Sequence, residues 1–379
     1  MPDQKDFIAH PGTSISIPGV RWIAPSSHTV TATMREAEIV STQLAPPVQL
    51  FCATSKVTPQ SSSAANRHQV KRRIAYLHQH QGFRMSHALS FHLLADNWPI
   101  HARLARFNLS RLKPGYIRAD WRAAMIKDHA MQLEEGEFVE TERARVSDIA
   151  ATAPQEASAF VQWFEKLRKE GPGQGDPLFD WLASHSTLAD MRWFVAQEAA
   201  GEAGFEDLVA MAQVKLEGRP KLEMARNYWD EMGRGNARGM HGPMLSRLVE
   251  RLALKCVIEG TVWEALALSN LMIALAANRR YAYQAIGALG VIEMTAPERV
   301  ARVNEGLKRL GLPAATRRYF QLHATLDIEH SKAWNQEVLH PLVGADPRSA
   351  RPLAEGALMR LQSGARCFER YREQFGMTN

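Results

Sequence analysis

The spacing of apolar residues is the feature that most constrains how this chain folds. From about residue 69, segments such as HALSFHLLADNW and IRADWRAAMIKDHAMQL place apolar side chains three and four positions apart. This is the spacing of one face of an α-helix. Strand signals are almost absent after residue 66. The sequence therefore predicts an all-α protein whose helices pack as a bundle.

Composition divides the chain into three parts. Residues 1–65 are rich in Ser, Thr, Pro and Ala and show little periodicity, so we expect them to be mostly disordered. Residues 66–170 are predicted to form a basic helical region. The break EGPGQGDP at 170–177 separates this region from a helical bundle at 178–379.

Within the bundle, periodicity and end signals predict a series of helices. In residue numbers these are 187–213, 222–232, a helix starting near 244, 262–292, a helix from 295 to the LGLP segment, 314–339, and a helix starting near 350. The helix from 295 is predicted because TAPE has the form of a capping box, in which Thr295 caps and Glu298 reaches back.

Basic residues are concentrated in one segment of a chain whose net charge is +6. Between residues 66 and 127 there are twelve Lys and Arg against two acids. Such a segment is typical of a nucleic-acid-binding surface, or of a helical face that is solvated or docks onto acidic residues. We favour the second interpretation and do not expect a nucleic-acid partner, because no nucleic-acid-binding motif accompanies the charge.

Cysteine usage and hydropathy predict a cytoplasmic location. Cys52, Cys256 and Cys367 are far apart and form no CxxC pair, which favours a reducing compartment. No run of about 18 apolar residues predicts a membrane-spanning helix. The start MPDQKDFIAHPG lacks the basic and apolar regions of a secretory signal.

The segment HATLDIEHSKAW carries two imidazoles and a carboxylate on one helical stripe. His323, Asp327 and His330 stand at i, i+4 and i+7, which places them within roughly 60° of one another around a helix. The stripe fits the edge of a metal site, and it also fits two ordinary histidines beside an acid.

Other predicted helices carry acids where the pattern expects core. Glu231 shares a stripe with Glu223 and Asn227, and His241 follows it after a glycine-rich turn. Glu293 closes the apolar run GALGVI, and a buried carboxylate needs a partner or a metal. Alternatively, Glu231 and Glu293 are acids that reach water and His241 lies beside a helix N-cap.

The first helix of the bundle contains several acids. Glu198 aligns with apolar residues and is predicted to point inward, with Glu202 next to it on the same face. Glu206 and Asp207 are predicted to lie on the solvent side.

Together the inward positions form one mixed set of carboxylates and imidazoles. The set is Glu198, Glu231, His241, Glu293, His323, Asp327 and His330. Such ligands suit iron or manganese, and the cysteine count excludes an all-thiolate site. A single zinc ion uses four ligands, so two irons fit the number better.

Three stretches resemble one known family. The stretch NYWDEMGRGNARGMH, the helix of Glu293 and HATLDIEHSKAW are similar to segments of the haem-oxygenase-like di-iron oxidases, often labelled iron-containing redox enzymes. The resemblance covers about residues 185–345 and implies a haem-oxygenase-like bundle. The metal ligands that it implies are Glu231, His241, Glu293, His323, Asp327 and His330. A further acid occurs in some members, and here Glu198, then Glu202, is preferred to Glu206.

The resemblance also implies a function. It implies that two Fe(II) ions, or an iron–manganese pair, activate O2 to oxidise a small substrate such as an amine or amino acid, with an external electron donor. Glu231, Glu293 and Asp327 would balance the metal charge and bridge or chelate. Asn227, Tyr228 and Asn335 are candidates to hold the imidazoles. Some members carry a dimerisation region upstream, so a homodimer is expected.

Two other functions remain open at this stage. One is a metal-free or haem-binding enzyme with the same bundle, although unpaired inward acids would then be costly. The other is a non-enzymatic binding module that acts through residues 66–127 and binds in a salt-sensitive way. Four arginines are candidates for pairing a substrate carboxylate or are ordinary surface charges: Arg279, Arg280, Arg317 and Arg318.

Overall fold

The computed structural model describes residues 97–116, 119–201 and 204–377. Within these ranges the regular elements are all helical and no strand is present, which confirms the all-α prediction. The segment predicted to be disordered, 1–65, and much of the basic segment lie outside the described residues.

We number the α-helices of the described ranges in chain order. They are α1 Asn97–Leu112, α2 Trp121–Ala150, α3 Ala157–Glu170, α4 Pro177–Ser184, α5 Leu188–Gly201, α6 Phe205–Ala212, α7 Gly218–Glu231, α8 His241–Arg251, α9 Trp263–Ala277, α10 Ala282–Arg309, α11 Arg318–Ala333, α12 His340–Ala345 and α13 Ala350–Gln374. The predicted break near residue 170 is present between α3 and α4.

The predicted helix 187–213 is divided in two. Helix α5 ends at Gly201 and α6 begins at Phe205, and Gly204 between them adopts a φ of 71°. This left-handed conformation favours glycine because a side chain would be strained there. The residues of α6 therefore do not continue the helical stripe of α5.

The predicted helix 262–292 is also interrupted. Asn278 leaves the helical conformation, and its side chain accepts a hydrogen bond from the Arg280 backbone N–H. A 3-10 turn, Arg279–Tyr281, then leads into α10. Asparagine favours this role because its short side chain competes for nearby backbone groups.

The predicted helix start at Thr295 is wrong, because α10 continues through this point to Arg309. The Thr295 hydroxyl donates to the carbonyl of Val291, one turn earlier in the same helix. Pro297 lies inside α10 and has no N–H to donate to the carbonyl of Glu293. The capping-box pattern therefore occurs here in the middle of a helix.

Helix α10 is the central element of the bundle and packs most extensively against α11 and α13. Two glycines allow the close approach to α13. A Cβ on Gly287 would lie 1.9 Å from the Leu353 carbonyl oxygen, and a Cβ on Gly356 would lie 1.9 Å from the Gln284 carbonyl oxygen. The backbones therefore meet directly at two neighbouring points.

The described part of the basic segment docks onto the rest of the chain. Arg106 of α1 pairs with Glu259 at 2.8 Å, and Arg111 pairs with Glu135 of α2. The side chain of Asn108 donates to that of Asn270 at 2.9 Å within the core. Within the described ranges, no helix combines the length and the apolar character needed to cross a membrane.

We expect Gly287→Ala to lower the free energy of unfolding by roughly 1–3 kcal/mol, because the added methyl group overlaps the backbone of α13. Gly344→Ala in α12 is the control, since its Cβ would meet only the Ala157 Cβ at an ordinary 3.8 Å. Urea denaturation followed by circular dichroism measures both changes. Equal stability of the two variants would contradict the close packing of α10 against α13.

Candidate metal centre

A glycine-rich turn brings together the end of α7 and the start of α8. Glu231 is the last residue of α7, and His241 is the first residue of α8. Gly233, Arg234 and Gly235 all have positive φ angles, and a Cβ on Gly233 would lie 2.4 Å from the carbonyl carbon of Gly239. This tight turn returns the chain so that His241 Nδ1 lies 2.6 Å from Glu231 Oε2.

Helices α10 and α11 provide the other side of the site. Glu293 lies in the middle of α10, and Gly290 precedes it by about one turn. A Cβ on Gly290 would lie 2.5 Å from Trp334 Nε1, so this glycine lets the buried indole approach α10. Trp334 begins a π-helical segment, Trp334–Leu339, directly after α11. Such segments occur often at functional sites.

Two groups of potential ligands share one carboxylate. The first triad is Glu231, His241 and His323, and the second triad is Glu231, Glu293 and His330. Within each triad the ligand atoms lie within 4.8 Å of one another. Glu231 is therefore within reach of the other members of both triads.

The imidazole of His323 is oriented by the backbone. Its Nδ1 lies 2.8 Å from the carbonyl oxygen of Tyr319, and because a carbonyl only accepts, Nδ1 carries the proton. The lone pair of the neutral ring is then on Nε2. Metal-binding histidines are commonly held in this way. The rings of His323 and His241 lie edge to face with centroids 4.6 Å apart.

Asp230 holds the second imidazole, and sequence reasoning did not identify it. His330 Nε2 lies 3.2 Å from Asp230 Oδ2, while Nδ1 faces Glu293 Oε2 at 3.4 Å. Arg226 and Arg234 in turn pair with Asp230. The sequence did contain a signal for this residue, because Asp230 follows Asn227 by three positions and residues with this spacing lie on the same side of a helix.

The residues predicted to hold the imidazoles have different contacts. Asn227 donates to Glu293 Oε1 at 2.6 Å, so it contacts a carboxylate of the second triad. Tyr228 packs against the apolar core. Asn335 donates to Glu165 at 3.2 Å. Of the three, Asn227 is the one with a contact to a triad residue.

Burial favours the neutral forms of several of these groups. Burial and the nearby Glu293 carboxylate raise the pKa of Glu231 well above its usual value. Burial, Glu293 and Glu231 do the same for Asp327. Burial lowers the pKa of His241 and His323 to about 4, so both rings are neutral, as a metal ligand must be.

His330 behaves differently from the other two histidines. Burial lowers its pKa, but the carboxylates of Glu293 and Asp230 outweigh burial and raise the pKa to about 9. The crowded acids therefore draw positive charge to this position. A metal cation would supply that charge and allow the ring to bind in its neutral form.

Buried atoms without hydrogen bonds provide a test of whether the residues fit a metal. Asp327 Oδ1, His241 Nδ1 and His330 Nδ1 are all buried and have no hydrogen bond of normal geometry. The two nitrogens lie near carboxylate oxygens without the angles of a hydrogen bond. Converging atoms of this kind are expected where a metal ion, rather than a proton, joins them. The donor set therefore fits metal binding.

The cluster does not contain every residue predicted for it. Asp327 lines the same cavity as the first triad but belongs to neither triad among the described residues. Glu198 is placed elsewhere and accepts a hydrogen bond from the Tyr371 hydroxyl at 3.0 Å. Glu202 lies outside the described residues.

Glu206, which was predicted to face solvent, lines the cavity at the cluster. Its Oε1 lies 2.6 Å from the position that a Cβ on Gly242 would take. The reason is the break at Gly204, which gives the first turn of α6 a direction that the stripe of α5 does not predict. Asp207, the next residue, is exposed as expected.

The cavity beside the cluster is small and mostly apolar. Its volume is about 160 Å³, and its walls include Leu245, Leu268, Met272 and Ile292. Apolar walls with a few converging polar groups are typical of small-molecule sites.

A model of the family described as iron-containing redox enzymes matches residues 192–365. The matched segment spans slightly less than half of the chain and is similar to that family. It contains every residue of both triads, and also Asp327 and Glu206. The family is one of oxidoreductases that hold iron, and its all-α, haem-oxygenase-like fold agrees with the bundle described above.

The solved structures that are similar to the chain include a CADD-like protein of unknown function from Nostoc punctiforme PCC 73102, at 16% sequence identity and a TM-score of 0.42. The similarity covers 64% of this chain and 98% of that protein. No curated protein matches the sequence.

We expect Asp230→Asn to weaken Fe(II) binding by about 10- to 100-fold, the usual effect of removing the group that holds a metal-binding histidine. The matched control is Glu217→Gln, which changes an exposed acid just before α7. Anaerobic competition with a coloured Fe(II) chelator measures both affinities. Unchanged affinity in a folded Asp230→Asn protein would mean that this carboxylate does not hold His330 for a metal.

Proposed function

We propose that this chain is a non-haem di-iron oxidase that activates O2 to oxidise a small organic substrate. The observation that carries the proposal is that two buried triads of nitrogen and oxygen ligands share Glu231. Carboxylate and imidazole ligands projecting inward from several helices are the usual donors of di-iron bundles.

Each triad would hold one iron. His241 and His323 would supply neutral nitrogen donors to the first iron, and Glu293 and His330 would bind the second, with Glu231 common to both. When bound, two Fe(II) ions supply electrons for the reduction of O2. This ligand set suits an iron–manganese pair as well. Asp327 and Glu206 line the cavity at the cluster and are further oxygen donors.

The protein residues have defined tasks around these ligands. Asn227 holds Glu293 through one carboxylate oxygen, which leaves the other oxygen facing His330. The Tyr319 carbonyl and Asp230 fix the ring directions of His323 and His330. These contacts set the donor atoms before the metals bind, which reduces the cost of ordering the site.

The cavity walls determine what reaches the centre. Side chains such as Leu268, Met272 and Ile292 keep bulk water away from the open side of the cluster. Exclusion of water would protect reactive intermediates from side reactions. The cavity of about 160 Å³ would hold a small substrate. As part of the proposal, an external donor supplies further electrons, and the protein acts as a homodimer.

We expect the number of iron ions bound per chain to show whether Glu231 serves both triads. The wild type should bind about two Fe(II) per chain, as di-iron bundles do. Glu231→Ala should lose both ions, because this residue serves both triads, whereas His241→Ala should retain about one. The control is His185→Ala, an exposed histidine at the end of α4. Anaerobic loading, desalting and metal analysis give the counts.

A single iron in the wild type, or equal loss in both variants, would argue against Glu231 as the common ligand. Circular dichroism spectra of the metal-free variants separate loss of iron from loss of folding.

Mixing the Fe(II)-loaded protein with O2 is expected to produce a transient visible absorbance band and to consume O2. His330→Ala should lose both signals, because the second triad is incomplete, while His185→Ala should retain them. Stopped-flow absorbance and an oxygen electrode make the measurement. O2 consumption at the wild-type rate by iron-loaded His330→Ala would exclude the second triad from the reaction.

A further inference from the structure

The outward face of α7 exposes side chains of the kinds that dominate protein interfaces. Leu222, Arg226 and Trp229 stand at i, i+4 and i+7, which places them within roughly 60° of one another around the helix. Leu222 is 72% exposed and Trp229 is 53% exposed. Tryptophan and arginine are enriched among the residues that contribute most to binding energy at interfaces. This stripe therefore has the composition of a docking surface for another protein.

The turn after α7 holds Trp229 in position. A Cβ on Gly235 would lie 2.9 Å from Trp229 Cη2, so the indole ring packs directly against the backbone of the turn. Gly235 also has a φ of 82°, a conformation that favours glycine. An exposed aromatic ring that is already fixed loses little conformational freedom when a partner binds. Trp229 is therefore a preorganised anchor.

Most of the solvent-facing charge around this stripe is positive. Residues 222–251 contain five arginines, all of them exposed, and four acids, of which three are buried and one is exposed. The arginines are Arg226, Arg234, Arg238, Arg247 and Arg251, the buried acids are Glu223, Asp230 and Glu231, and the exposed acid is Glu250. An acidic partner that approaches this surface would meet mainly guanidinium groups.

The arginines differ in how far carboxylates compensate them. Arg226 and Arg234 pair with buried carboxylates of α7. Arg247 donates to the backbone carbonyl of Arg238, and in the ranges that the structure describes neither of these two arginines forms an ion pair. Glu250 follows Arg247 by one turn of α8 and offsets part of this charge. Arg238 and Arg247 are therefore the guanidinium groups most available to the carboxylates of a partner.

Hydrogen bonds connect this surface to the candidate metal centre. Arg226 and Arg234 lie 3.2 and 2.6 Å from Asp230, and Asp230 Oδ2 lies 3.2 Å from His330 Nε2. His330 belongs to the second triad. Two contacts therefore join an exposed guanidinium group to a residue proposed to bind iron. Because electrons tunnel more readily along bonded and hydrogen-bonded atoms than across empty space, this surface is a favourable point of entry for electrons.

We propose that the exposed surface of α7, the following turn and α8 docks a small acidic electron-carrier protein that contains an iron–sulfur cluster or a flavin. We call this surface the arginine face, and it consists of Leu222, Arg226, Trp229, Arg234, Arg238 and Arg247. This inference rests on the proposed function and identifies the class of partner that supplies its electrons. Each reduced carrier gives up one electron, so two encounters return two Fe(III) ions to Fe(II).

The size of the arginine face fits a brief association. Electron-transfer complexes lie at the small end of protein interfaces, below about 1,200 Å² of buried surface. The stripe from Leu222 to Trp229 is roughly 10 Å long, given the rise of an α-helix. A carrier must leave after it has given up its electron, and a small interface with one aromatic anchor and a charged surround permits fast release.

Calorimetric titration of the full-length, metal-free protein with a plant-type ferredoxin and with a flavodoxin tests this docking surface. Both probes are small acidic electron carriers. We expect at least one of them to bind at low ionic strength. Raising the NaCl concentration to about 0.5 M should weaken that binding at least about tenfold, because salt screens the guanidinium charges.

Variants locate the binding on the arginine face. The Arg238→Gln/Arg247→Gln double variant should bind the carrier at least about tenfold more weakly than the wild type, and Trp229→Ala should also lose affinity. The matched control is the Arg168→Gln/Lys169→Gln double variant. It removes two exposed charges of α3 that form no ion pair within the described residues, and it should bind like the wild type.

Failure of both carriers to bind the wild type, or equal weakening in the two double variants, would overturn the inference. Tighter binding of a short DNA duplex than of either carrier, lost in Arg238→Gln/Arg247→Gln, would instead assign the arginine face to a nucleic acid. Because iron is absent from these titrations, failure of the wild type to bind two irons would overturn the proposed function and leave the docking result intact.

Electron transfer is measured by mixing the oxidised, iron-loaded protein with each pre-reduced carrier in the absence of O2. The absorbance of the carrier follows its oxidation. At equal iron content, the rate with Arg238→Gln/Arg247→Gln should be at least about tenfold lower than the rate with Arg168→Gln/Lys169→Gln. Equal rates would mean that electrons do not enter through the arginine face, which would contradict the inference.

Discussion

Glu231, Glu293 and Asp327 are buried beside one another, and the arrangement of the surrounding helices follows from that constraint. In an interior of low dielectric constant, burial and the nearby carboxylates raise the pKa values of Glu231 and Asp327. Such a group is stable only where hydrogen-bond donors and positive charge converge on it. Asn227 and His330 provide part of this compensation, and metal ions would complete it.

The constraint explains several local features that would otherwise be unfavourable. The turn after α7 contains Arg234 with a positive φ of 54°, which an ordinary side chain adopts rarely. Gly290 removes a side chain from α10 where Trp334 must approach, and Gly287 does the same where α13 must approach. These positions weaken or strain individual helices, but they bring side chains from α7, α8, α10 and α11 to one point. Local cost at a functional site is a common pattern.

Sequence patterns accounted for the fold class and for much of the candidate site. The all-α class follows from helical periodicity, a local property of neighbouring residues. His323 and His330 share a face for the same reason, since both belong to α11. The resemblance to a known family joined these histidines to Glu231, His241 and Glu293, which periodicity alone had left as separate acids and histidines. The structure brings these five residues into the two triads.

The boundaries and faces of individual helices needed the tertiary structure. The residues of the capping-box pattern at Thr295 also fit inside a continuous helix, where the Thr295 hydroxyl donates to the Val291 carbonyl. Packing of α10 against its neighbours selects the continuous helix. The break at Gly204 resets the helical phase, which places Glu206 at the cluster. Glu198 remains on α5, beside Tyr371.

The sequence by itself determined that this chain forms helices and that His323, Asp327 and His330 share one face of a helix, because both depend on the order of neighbouring residues. Only the tertiary structure decided that Glu231 belongs to both triads and that Asp230 holds His330. These contacts join residues from different helices, and their distances depend on helix packing and on the turns between helices. Local periodicity carries no information about either.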